Sequence, residues 1–130
     1  RIFHEKEMRK SLYKALFEEI RLNYFAAKKT KEKYKKSPNW TIFEISPLYT
    51  LAYQSIRSSG ELSVLSRSTL SLLEETYEMI YTHNRQTTAI LSDTSGFIRD
   101  KYLKERLEKI GKNLERLEQN LLKELKFLKK

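Results

Sequence analysis

The side chains able to do chemistry are few and poorly matched to one another. The histidines are His4 and His83, the aspartates Asp93 and Asp100, and there is no cysteine. His4-Glu5 opens like the helical zinc motif, in which a second histidine stands four positions on, but that position holds Met8. A di-iron bundle needs Glu three residues before a histidine, and Ile80 precedes His83 instead. Glu74, Glu75 and Glu78 could offer oxygens to a hard cation, yet acidic triplets of this spacing are what a solvated helix face carries. No glycine-rich phosphate loop and no nucleophile paired with a base can be drawn. The residues imply a non-enzymatic chain with no catalytic residue, no metal ligands and no cofactor. Without cysteine, disulfides and zinc–thiolate sites are excluded.

Lys28, Lys29, Lys31, Lys33, Lys35 and Lys36 form the densest charge run, with Glu32 and Tyr34 among them. Such a run could contact nucleic-acid phosphates. A helix C-terminus also favours cations through its dipole. The run lacks arginine and is poor in aromatics, which specific readers use, so nucleic-acid contact is the secondary reading. Asn23 and Asn84 interrupt apolar stripes. They are expected to face each other as a buried amide pair that sets helix register. The aromatic residues fall mostly on or beside core faces, where packing with hydroxyls at the rim is the default; an exposed subset around Trp40, Phe43 and Tyr53 would instead mark a partner-binding patch.

The elements that must position these residues are helical. Three glycines and two prolines in 130 residues leave little to interrupt long helices. A first helix is expected from about Glu5 to Lys36, with Met8, Leu12, Leu16, Ile20, Asn23 and Ala27 along one stripe and Phe17, Tyr24 and Phe25 widening it. Pro38 ends it, and Trp40, Ile42, Phe43 and Ile45 form an apolar linker laid over the bundle. Ser46 as N-cap and Pro47 at the first position start a short helix to Ser58, with Leu48, Leu51, Ala52 and Ile56 inward and Gly60 able to turn left-handed after it. Leu62, Val64 and Leu65 make an apolar turn. Ser66 caps a third helix that carries Leu70, Leu73, Tyr77, Ile80, Asn84 and Leu91 to about Ser92, and Asp93-Thr94-Ser95-Gly96 is a turn. A fourth helix from Phe97 or Ile98 to the end has Leu103, Leu107, Ile110, Leu114, Leu117 and Leu121 in a heptad seam. Leu122, Leu125, Phe127 and Leu128 near its end either dock on the start of the first helix or pair with another chain. Intramolecular docking, hence a monomer, is favoured over a homodimer.

The fold class is all-α: one domain, a helical bundle of three long helices plus one short crossing helix. The formal charge is +9, with +6 in residues 1–65 and +3 in residues 66–130, modest beside dedicated nucleic-acid binders. No apolar run of membrane-spanning length is present. The chain opens at Arg1 without an initiator methionine and reads as part of a longer protein with an upstream segment.

Glu19-Ile20-x-x-Asn23 on the first helix, Tyr53-x-x-Ile56-x-Ser58-Ser59-Gly60 with leucines after it, and Ile80-x-x-x-Asn84-Arg85 resemble a pattern in uncharacterised prokaryotic proteins. In those, a short membrane anchor precedes a small cytosolic helical domain. The resemblance covers about residues 12–91. It departs at Ser66-Arg67-Ser68, where many such sequences have a proline-containing helix start. It implies an anchor and a location on the cytoplasmic side of a membrane, but no activity. The expectation is a domain acting through an unidentified protein partner, touching membrane only through a segment outside this sequence.

Overall fold

The computed structural model describes residues 2–36, 47–92 and 100–129, with side chains described at 4–30, 32, 47–87 and 104–129. Among the described residues four helices follow in order: α1 Ile2–Lys36, α2 Leu51–Ser59, α3 Arg67–Ser92 and α4 Asp100–Glu124. Short 3₁₀ turns at Glu61–Val64 and Lys126–Leu128 follow α2 and α4. The architecture is the all-α bundle expected, with three long helices and one short. Trp40, Phe43, the rest of the linker, the Asp93–Gly96 turn, and the Leu91 and Leu103 side chains lie outside the described residues.

The cross-links set the directions. Tyr49 bonds to Asn23, Ala52 to Glu19 and Glu61 to Tyr13, so the α2 segment runs antiparallel to α1. Tyr77 reaches Glu19, which aligns α3 with α1. Arg21 pairs with Glu118 at 3.8 Å and Glu124 meets Ser66, so α4 descends between α1 and α3. The helices alternate up and down.

The core sits where the stripes converge. Tyr13, Leu16, Ile20, Leu73, Tyr77, Ile80, Ile110, Leu114, Leu117 and Leu121 are fully buried, and the α4 seam is as expected. On α1, Met8 and Phe25 are mostly exposed, contrary to expectation, and Tyr13 takes the deep position beside half-buried Leu12. At about 100° per residue, Phe25 stands about 140° from Ile20, off the buried arc, whereas Met8 shares the angle of buried Glu19 but lies more than a turn before Tyr13, where burial on α1 begins. On α3 a second strip is buried that the apolar pattern did not mark: Thr69, Thr76, His83 and Thr87, with Leu72. Thr76 and Thr87 bond the carbonyls four residues back, at 2.6 and 2.8 Å, which lets a hydroxyl sit in the interface.

Two helix boundaries differ from expectation. The α2 helix begins at Leu51, with Thr50 at the N-cap position and Pro47 exposed in non-helical chain before it. Leu51 points outward at 75% exposure, while Tyr53 and Ile56 fill the inner face and Leu48 adds its side chain from the non-helical segment. Gly60 does adopt the left-handed conformation, φ 79°, and Ser66 Oγ accepts the Thr69 N–H at 3.3 Å as the α3 cap. The α4 helix stops at Glu124 instead of running to the end, because Leu125 turns extended and drops its side chain into the core. Phe127 and Leu128 pack against that core half-buried, and Leu122 and Leu128 share a groove with Phe17 and Arg21. The C-terminus is thus docked within the chain, beside Phe17 and Arg21 of α1, while the Ile2 and Phe3 side chains lie outside the described residues.

Candidate functional site

Three polar side chains on the inner faces of α1 and α3 converge on residues 48–53. Asn23, fully buried, accepts the Tyr49 N–H at 2.7 Å and donates to the Tyr49 carbonyl at 2.8 Å. Asn84, half-buried on α3, does the same for Leu48, at 2.8 and 2.9 Å. The two asparagines therefore meet across the backbone of one dipeptide, not face to face as the sequence suggested. Each amide supplies one donor and one acceptor, as a neighbouring β-strand would. This accounts for the late start of α2: the Leu48 and Tyr49 carbonyls accept from Asn84 and Asn23, and the Ala52 and Tyr53 N–H groups that would reach them in a helix donate to Glu19 instead.

Glu19, one turn before Asn23, completes the arrangement. Its carboxylate accepts the N–H groups of Ala52 and Tyr53 at 2.8 and 3.1 Å and the Tyr77 hydroxyl at 2.7 Å. Thr50 provides no side-chain cap, so Glu19 satisfies the first turn of α2 from another helix. Burying a carboxylate is costly unless its oxygens are bonded, and here three donors reach it. Burial, and then the adjacent Glu19 carboxylate, push the Tyr77 phenol well above its ordinary value, so it stays a donor. The Tyr53 ring stacks on Tyr77 with centroids 4.1 Å apart. Tyr53 is thereby 3% exposed, which agrees with core packing and removes it from the alternative exposed patch with Trp40 and Phe43.

A second polar junction ties the chain at the other end of α3. Glu124 accepts from Ser66 N at 2.7 Å, Ser66 Oγ at 3.0 Å and Thr69 Oγ1. Burial alone would raise its carboxyl, but these bonds outweigh it and hold Glu124 below the usual carboxylate range. Tyr13 donates to the Glu61 carbonyl at 2.6 Å, and burial with the Glu61 charge raises its phenol to about 12. Arg9 pairs with the Glu61 carboxylate at 2.5 Å.

The remaining expected site residues are on the surface. Lys28 and Lys29 are exposed, Lys28 beside an open groove of about 280 Å³ between α1 and α4; the side chains of Lys31, Lys33, Lys35 and Lys36 lie outside the described residues. Glu74, Glu75 and Glu78 are solvated, with Glu75 3.5 Å from Lys109. Glu74 and Glu78 border a groove of about 600 Å³ between α2 and α3, flanked by Arg57 and Arg85. Among the described residues no group of three His, Cys, Asp or Glu is placed to hold a metal, and no helix is long and apolar enough to cross a membrane. Comparison with protein-family models, with curated proteins and with solved structures finds no match to this chain.

Sequence reasoning placed Asn23 and Asn84 inside the fold but missed Glu19 and Glu124. For Glu19 a signal existed: it stands four residues before Asn23, on the same side of α1. Glu124 had none, because its partners lie across a contact between distant segments.

Proposed function

We propose that the chain is a non-catalytic helical domain that acts through protein–protein contact. The observation supporting this best is the pair Tyr49 and Leu51, which leave 59% and 75% of their surface open to solvent. The backbone that carries them is held by six hydrogen bonds from Asn23, Asn84 and Glu19. A backbone already held in one geometry spares a partner the cost of ordering it, and exposed tyrosines are common anchors of interfaces. The resemblance to domains that follow a membrane anchor, with the basic excess over Arg1–Lys14, supports a place on the cytoplasmic side of a membrane, tethered by a segment outside this sequence.

The test is site-specific photo-crosslinking in the native host. A photoreactive phenylalanine at position 51 is expected to capture a defined protein, which is lost when Tyr49 is changed to Ser and is not captured from exposed position 112. Equal capture from both positions, or capture of nucleic acid lost on substitution of the lysine run, would overturn the reading.

A further inference from the structure

The face of α1 turned away from the other helices carries a stripe that is complementary to itself. Glu18, Leu22, Phe25 and Lys29 follow at steps of four, three and four residues and so share one face. All four are exposed, Leu22 by 53% and Phe25 by 63%. Neither Glu18 nor Lys29 has an ion-pair partner among the described residues. The order along the stripe is acid, apolar, apolar, base. Laid antiparallel on a second copy, with a twofold axis crossing between positions 23 and 24, Leu22 of each chain meets Phe25 of the other. Glu18 of each then meets Lys29 of the other. A parallel arrangement would instead set like charges together.

We propose that α1 pairs through this stripe with α1 of a second copy, in an antiparallel twofold dimer. Twofold symmetry requires one patch to match itself, and the stripe does so in charge and in apolar content. The net charge of +9 per chain works against association, so the alignment of opposite charges governs orientation. With two large apolar side chains from each copy the interface is small, and the dimer forms at high protein concentration. The docked C-terminus, on which the expectation of a monomer rested, leaves this face open. The inference also stands apart from the partner contact proposed for Tyr49 and Leu51, which lie on a different segment.

Sedimentation equilibrium across a wide concentration range reads the dimer directly. Glu18→Lys sets a lysine against Lys29 and is expected to weaken the dimer about tenfold, while Glu18→Lys with Lys29→Glu restores opposite charges and brings it back to within about twofold. The register is read separately, since the chain has no cysteine. Mixed under oxidant, Leu22→Cys and Phe25→Cys chains are expected to form the heterodisulfide ahead of either homodisulfide. An unchanged thermal melt of each variant separates loss of interface from loss of fold. A monomer at every concentration, failure of the charge exchange to rescue, or preference for a homodisulfide would each overturn the proposal.

Discussion

Replacing Asn23 by leucine asks whether the asparagines hold the 48–49 segment or only lie beside it. The change removes the acceptor of the Tyr49 N–H and the donor to its carbonyl, on a side chain that no water reaches. Each backbone group left without a partner costs about 1–3 kcal/mol. A buried leucine returns about 1–2 kcal/mol of apolar burial, which leaves a net loss of about 2–3 kcal/mol. Asn84→Leu is milder, about 1–2 kcal/mol, because Asn84 is half-buried and water can take its place. The two amides grip adjacent residues of one short segment, so once either releases it the other has little left to hold. The double variant is therefore expected to fall short of the sum of the singles by about 1 kcal/mol. Urea unfolding followed by circular dichroism gives these values. Amide exchange at Leu48, Tyr49, Ala52 and Tyr53 shows whether the segment opens before the bundle does. Single losses under about 0.5 kcal/mol, or strict additivity, would refute the reasoning.

Glu19→Gln keeps the shape but turns an amide NH₂ toward groups that donate, and is expected to cost about 2–3 kcal/mol in the same assay, against about 1 kcal/mol for Tyr77→Phe. In alkali, the phenol of Tyr13, raised to about 12 from 10, keeps its proton after the unfolded chain has lost it, so stability falls as pH rises from 10 to 12. Absorbance of tyrosinate should show Tyr13 and Tyr77 ionising above the ordinary phenol value of 10 while the chain is folded. In acid, the lowered Glu124 contributes stability above its ordinary value of 4.5 that is lost as pH falls through the folded value, and Glu124→Gln should flatten that limb of the stability curve. Gly60→Ala forces a side chain into φ 79° and is expected to cost about 1–2 kcal/mol by thermal unfolding.

The parts of the fold legible in the sequence are those written in a single repeating period. Leu107, Ile110, Leu114, Leu117 and Leu121 recur at alternating three- and four-residue steps, and every one is buried. Gly60 and Ser66 were equally legible, since a left-handed residue and a side-chain cap act within a few positions of themselves. The polar strip Thr69, Thr76, His83 and Thr87 shares that period but has no apolar signature, and the helix-backbone bonds that let two of its threonines enter the interior cannot be read from residue type.

The start of α2 shows why local rules can misplace an element while being individually sound. Ser46-Pro47 satisfies the preference for a helix N-terminus, and nothing within the segment opposes it. What opposes it lies 24 residues before Pro47 at Asn23 and 37 residues after it at Asn84. Together they offer four hydrogen-bonding groups aimed at one dipeptide, and the helix begins only where Glu19 can cap it. An asparagine in an apolar stripe is a group in need of a partner, and a second asparagine in a facing stripe is the natural candidate. A primary amide, however, matches one peptide unit's donor and acceptor as well as it matches another amide. The main chain offers such units at every residue, so a buried asparagine is read more safely as a grip on backbone. Here two of them hold the Leu48–Tyr49 backbone, and Glu19 holds the turn that follows at Ala52 and Tyr53, while Tyr49 and Leu51 stay exposed. The same contacts that hid the helix start thus set the surface on which the proposed partner contact rests.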